Sequence, residues 1–217
     1  MTWSRRHVLA ALALAATAAA LPARPAAAGV PLEQLRTQVD RVLKVLDDPE
    51  LKKDGKAKDR RVVVRQIANE IFDFAETARR SLGRHWPART PAEQVEFVRL
   101  FSDLMERSYI SKVELYGGEK IQYVSDMIDA DQAKVQTKLL TRQGSDIPIE
   151  YRMHKKGERW LVYDVIIEGV SLVSNYRTQF NKVVQTESYP ALVQKLRAKD
   201  MEPAASPAAP RERRTQP

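Results

Sequence analysis

Residues 160–180 of the chain read WLVYDVIIEGVSLVSNYRTQF. A half-exposed strand alternates apolar and polar residues with period two, whereas Trp160, Leu161, Val162, Tyr163, Val165, Ile166 and Ile167 leave only Asp164 polar in this run. Both faces of the strand therefore need apolar cover. Gly169 can adopt backbone angles closed to other residues, and Ser171 suits the N-cap of a helix carrying Leu172, Tyr176, Phe180 and Val183. The stretch thus predicts the last strand of a sheet, a tight turn, and a helix that packs back on it.

Period-two alternation continues upstream. AKVQTKLL (133–140) sets Ala133, Val135, Thr137 and Leu139 against Lys134, Gln136 and Lys138. IPIEYRMH (147–154) sets Ile147, Ile149, Tyr151 and Met153 against Pro148, Glu150, Arg152 and His154. With KIQYVSDM (120–127) before them and RWLVYDVII (159–167) after, these predict a four-stranded antiparallel meander, with Pro148 early in its strand or where no ladder donor is needed.

Further upstream the period becomes helical. Leu32, Leu35, Val39, Val42, Leu43 and Leu46 form one stripe, and residues 63, 64, 67, 71 and 74 form a second. DFAETARRSLG (73–83) reads as a short helix closed by Gly83. Thr90-Pro91-Ala92-Glu93 is a capping box with proline at the first helical position. It opens a long helix to about Leu115, with Val95, Val98, Phe101, Met105 and Tyr109 on its apolar stripe, widened by Phe97, Leu100 and Leu104. A final helix is expected at YPALVQKLRAK (189–199). The predicted class is α+β: a four-stranded antiparallel meander packed against a cluster of about six helices.

At the N-terminus, Arg5 and Arg6 precede an apolar run from Val8 to Leu21 and a small-residue site at Ala26-Ala27-Ala28, the order of a cleaved export signal. Ser4-Arg5-Arg6 with Leu9 also resembles the twin-arginine address, so either export route remains open. The expected organisation is a signal over 1–28, one domain over 29–200, and a disordered Pro/Ala/Arg tail over 201–217. Without cysteine the domain has neither disulfides nor thiolate metal sites. Removing Arg5, Arg6 and Arg24 with the signal leaves 33 basic against 28 acidic residues, a dispersed net charge of +5. That excess weakly favours anionic surfaces, and Lys52, Lys53, Lys56 and Lys58 are candidates to guide docking, although a solvated loop is the default reading of such a run. No basic motif interleaved with aromatics points to nucleic acid.

Catalytic signatures are weak. Gly169-Val170-Ser171 is compared with a hydrolase nucleophile elbow, but Val173 stands where a second small residue is required. His85 and His154, the histidines beyond the signal, are far apart in sequence. Asp126 and Asp129 to Asp131 read as a solvated turn, and Gly117-Gly118 lacks a phosphate-loop pattern. No metal, cofactor or enzymatic activity is expected. Asp164 discriminates between readings, because a catalytic carboxylate faces a substrate whereas a structural one is satisfied by backbone or by a nearby arginine.

The segment RWLVYDVIIEGVSLVSNYRTQF, with FDFAETARRSLGRHW (72–86) and TPAEQVEFVRLFSDLMERSY (90–109), closely resembles the MlaC family of periplasmic phospholipid-binding proteins, also described as toluene-tolerance components of an ABC transport system. The resemblance runs from about Leu32 to Lys199. It implies a monomeric carrier shuttling glycerophospholipid between an outer-membrane lipoprotein complex and an inner-membrane ABC transporter complex with a lipid-binding ring protein, so maintaining outer-membrane lipid asymmetry. Phospholipid is then cargo, and the acyl chains lie in an apolar pocket between sheet and helices. The candidate lining residues are Val135, Leu139, Ile149, Tyr151, Met153, Val162, Ile166, Leu172 and Tyr176, with Phe97 and Phe101 from the long helix. Each could equally be plain core. Tyr176 and Arg177 could meet a headgroup or pair with Glu168, and residues 83–90 are a candidate lid edge. An envelope enzyme using Asp164, His154 or Tyr163, or a protein-binding adaptor with a filled core, are the competing readings.

Overall fold

The first two apolar stripes become α1 (Val30–Asp47) and α2 (Ala57–Ile71), which bury Leu32, Leu35, Leu46, Val64, Ile67 and Ile71. These helices belong to a computed structural model that describes residues 29–114, 116–141 and 144–201. The expected signal and nearly all of the expected tail lie outside the described residues. The chain between α1 and α2 carries local ion pairs, Lys52 with Asp47, Lys53 with Glu50 and Lys56 with Asp59.

Phe72 turns extended and ends α2. It forms a parallel bridge with Val162, and the Asp73 N–H donates to the Val162 carbonyl at 2.9 Å. Asp73 then caps α3 (Phe74–Leu82) by accepting from the Glu76 N–H. A 3-10 turn at Gly83–His85 leads to α4 (Pro91–Glu114). The capping box forms at both ends: Thr90 Oγ1 accepts from the Glu93 N–H at 3.3 Å and Glu93 Oε2 from the Thr90 N–H at 2.8 Å. Val95 does not join the apolar stripe of α4 and is 72% exposed, while Phe97, Leu100, Phe101 and Leu104 are buried.

The sheet has five strands rather than four, in the order β1 (Lys120–Asp129), β2 (Gln132–Leu140), β3 (Asp146–Lys156), β4 (Arg159–Ile167) and β5 (Val170–Ser171), every neighbouring pair antiparallel. The extra strand is two residues long. Glu168 and Gly169 both take left-handed backbone angles, so the chain reverses within two residues and continues the ladder, Ile167 opposite Val170 and Ile166 opposite Ser171. Beyond it, α5 (Leu172–Thr186) and α6 (Tyr189–Arg197) return to the helical layer, and Ser171 and Ser188 cap them as acceptors.

The apolar run in β4 has a specific cause. The β3–β4 register pairs Arg152 with Asp164 and then Met153 with Val162, so Tyr163 is the extra residue of a bulge. Alternation shifts by one there. Trp160 and Val162 before the bulge, and Val165 and Ile167 after it, therefore reach the same apolar core.

Two apolar cores divide the domain. One is helical: Phe97, Phe101, Tyr176 and Phe180 are fully buried and packed edge-to-face or stacked, with ring centroids 5.1 to 6.1 Å apart. The other joins α1 and α2 to the sheet through Leu35, Ile67, Val135, Met153 and Val162. Met105 and Tyr109 of α4 border both.

Candidate functional site

A cavity of about 480 Å³ lies between the sheet and the helices. Its floor is sheet, from Ile149 and Tyr151 of β3 and Val165 and Ile167 of β4. These four sit on one face because Tyr151 opposes Val165 and Ile149 opposes Ile167 in the register. Val64, Ala68 and Ile71 of α2 form one wall, Met105, Tyr109 and Val113 of α4 another, and Leu172 and Val173 open α5 at the end. Apolar groups dominate; of the polar ones, Arg65 and Asn69 of α2 and Ser102, Asp103 and Glu106 of α4 stand where these helices meet solvent, while Thr77 and Asp164 border the cavity from buried positions. Arg65 and Glu106 form an ion pair across this opening. Within the cavity, burial pushes the Tyr151 hydroxyl pKa up, and burial with the neighbouring Tyr176 does the same for Tyr109, so both stay neutral donors.

A second hollow of about 390 Å³ lies between α1 and the start of β4, lined among others by Leu35, Gln34, Met153 and Trp160. Gln34 ties its two sides together, accepting from the Trp160 N–H at 2.9 Å and donating to the Glu158 carbonyl at 3.3 Å. The two hollows share Ile71.

Of the eleven residues singled out from the sequence, Ile149, Tyr151 and Leu172 border the larger cavity and Met153 borders the smaller. Phe97, Phe101 and Tyr176 sit in the helical core, where they fill space against one another. Val135 and Val162 are fully buried in the sheet-side core. Leu139 and Ile166 are half-buried and border neither hollow. Residues 83–90 do not border the larger cavity either, and Trp86 is held edge-on against Phe97. Sequence reasoning missed the α2 wall and the lower half of α4, although Met105 and Tyr109 lay on the stripe it identified. A helical wall and a helical core share one periodicity.

The polar candidates are engaged structurally. Asp164 is buried, accepting from the Ser171 hydroxyl at 2.6 Å and the Val173 N–H at 3.0 Å, with the Arg152 guanidinium 3.9 Å away. Ser171, the residue compared with a nucleophile, therefore donates to Asp164 while it caps α5. Asp73 holds His154 at 3.2 Å and Lys156 at 3.1 Å, and the His154 ring meets Tyr163 edge-on. Arg177 donates to the Arg80 carbonyl at 2.9 Å, satisfying the end of α3. Among the described residues no group of three or more His, Asp or Glu side chains is arranged to hold a metal ion.

Comparison with known proteins supplies the context for the cavity. The sequence profile of the MlaC protein family matches residues 36–198. The intermembrane phospholipid transport system binding protein MlaC of Haemophilus influenzae is 21% identical over 148 residues, covering 66% of this chain and 69% of that one. In structure, the phospholipid-binding protein from Ralstonia solanacearum, solved in complex with a phospholipid, superposes with a TM-score of 0.69 at 27% identity, over 78% of this chain and 96% of that one.

Proposed function

The chain belongs to the MlaC family, and on that premise we propose that it is a periplasmic carrier that holds a glycerophospholipid with its acyl chains in the sheet–helix cavity. The observation that carries this reading is the cavity itself, its floor and walls mostly apolar and its opening charged. The fold likeness to a protein solved with a phospholipid supports it. In the same proposal the carrier is a monomer that exchanges cargo with an outer-membrane lipoprotein complex and an inner-membrane ABC transporter, serving outer-membrane lipid asymmetry rather than catalysis.

The physical need for such a carrier is large. At about 0.8 kcal/mol per buried CH₂, two ordinary acyl chains represent roughly 20 kcal/mol of exposure if lipid crossed water unaided. Transfer from bilayer to cavity exchanges one apolar surrounding for another, so its net free energy is a small difference between large terms. A binding site with no preference between loaded and empty partners sets no direction, which leaves direction to the membrane complexes.

The volume is informative as well. At about 480 Å³ the cavity is of the size of sites that enclose a small ligand. Native mass spectrometry of protein purified without detergent tests the proposal: a one-to-one phospholipid adduct that disappears on organic extraction is expected. Lipid-free protein that also takes no phospholipid from liposomes would sink it.

A further inference from the structure

Resting on the carrier reading, we infer that Arg65 is the group that receives the phosphodiester of the cargo, and that Glu106 occupies that cation when the cavity is empty. Three observations converge. Both side chains border the cavity, yet Arg65 is 52% exposed and Glu106 28%, so the pair stands at the opening rather than in the interior. They come from different helices, α2 and α4, and so bridge two walls of the cavity. The other acid at the opening, Asp103, lies 3.5 Å from Arg99 one turn before it, which offsets its charge.

The chemistry then follows. A guanidinium binds a phosphate or a carboxylate through the same fork of N–H donors, so a phosphodiester oxygen can replace the Glu106 carboxylate without leaving Arg65 unpaired. The Glu106 side chain, already partly in water, is released to solvent at little desolvation cost. Exchange of one anion for another couples seating of the lipid to loss of the α2–α4 tie, the same change that widens the cavity. An empty carrier is held narrow and a loaded one is released from that restraint.

The Arg65→Gln and Glu106→Gln variants separate this from a purely structural role, because both delete the same ion pair. If the pair only holds α2 to α4, both variants shift cargo retention in the same direction. If Arg65 is the phosphate receptor, they shift it oppositely. The measurement is the rate at which fluorescently labelled phosphatidylglycerol leaves the loaded full chain for acceptor vesicles of neutral lipid, with labelled diacylglycerol of the same chains as the phosphate-free control.

Arg65→Gln is expected to speed phosphatidylglycerol release by about threefold to tenfold, and Glu106→Gln to slow it by a similar factor, from the strength of charge-assisted hydrogen bonds at a partly exposed site. Diacylglycerol release should stay within about twofold for both, the scatter of a near-neutral surface change. Equal shifts of the two lipids, or shifts of the same sign in the two variants, overturn the assignment. If the lipid-free chain binds millimolar inorganic phosphate in an Arg65-dependent way while phosphatidylglycerol release is the same for wild type and Arg65→Gln, the site belongs to free anion and the lipid assignment falls. Wild-type protein that takes up neither lipid overturns the carrier reading itself, an outcome distinct from loaded variants that fail to diverge.

Discussion

Replacing Ala68 by tryptophan should stabilise the lipid-free protein and abolish its cargo together. Ala68 lies half-buried on the α2 wall of the cavity, facing the α4 wall of Met105 and Tyr109. A tryptophan there points its ring into space that is otherwise empty or wet. Such a side chain buries about 150–250 Å², worth about 4–6 kcal/mol at 25 cal/mol per Å². Against this stand a helix-propensity loss of about 0.5 kcal/mol and a misfit of about 1–3 kcal/mol, because the hollow was not shaped for an indole.

The net expectation is about 2 kcal/mol of added stability, or about 4–8 °C in Tm for a domain of this size. Scanning calorimetry on organically extracted, refolded wild type and variant measures the first effect, and native mass spectrometry of unextracted protein measures bound phospholipid per chain. The reasoning requires opposite outcomes in the two assays. A variant that melts several degrees lower and still carries wild-type lipid would show that the chains lie elsewhere, the hollow between α1 and β4 being the other candidate.

Two further outcomes are expected. Phe180→Ala, which removes a fully buried ring from contact with Phe97, Phe101 and Tyr176, should cost about 3–5 kcal/mol by urea unfolding while phospholipid per folded chain stays at the wild-type ratio, because the helical core is space-filling rather than receptive. Asp73→Ala removes the α3 cap and should cost about 1–2 kcal/mol at neutral pH. Burial pushes the Asp73 carboxyl up, but the Glu76 N–H, Lys156 and His154 together outweigh it and leave the pKa lowered. Its ionised form therefore stabilises the fold fully above the unfolded carboxylate value and loses that contribution as pH falls through the lower folded value. The gap between wild type and Asp73→Ala in urea midpoint should hold from pH 7 to about 5 and narrow only below about 4. A gap that already narrows well above pH 5 would refute the assignment to the Asp73 carboxylate.

What the sequence made legible follows the range of the interaction. The capping box at Thr90 and Glu93 acts within one helical turn, and it is present with both hydrogen bonds made. The meander was readable because alternation is a property of each strand alone. The bulge at Tyr163 was not, since it exists only as a register between two strands, and it is what lets Trp160, Val162, Val165 and Ile167 share one core. The fifth strand was hidden for a related reason: Gly169 announced a turn, but the left-handed Glu168 beside it, which makes the reversal tight enough to continue the ladder, carries no compositional signal. Similarly, nothing in Phe72-Asp73 discloses that the break between α2 and α3 is fixed by a bridge to Val162 about ninety residues away.

The lining residues resisted prediction for a deeper reason, which α4 makes plain. Its first half buries Phe97, Leu100, Phe101 and Leu104 in a filled aromatic core, and its second half presents Met105, Tyr109 and Val113 to a hollow. Both halves are apolar on the same face at the same spacing, since the helix must shed water from that face whether protein or lipid covers it. Only the elements across from it differ: rings of α5 and α6 oppose the first half, and the receding sheet floor of Ile149 and Tyr151 opposes the second. A cavity in this fold is thus a property of what α4 faces rather than of what α4 is. If the proposed carrier role holds, the tightly packed half keeps the fold together while the other half takes up and releases lipid, and substitutions in the two halves should then separate stability from cargo.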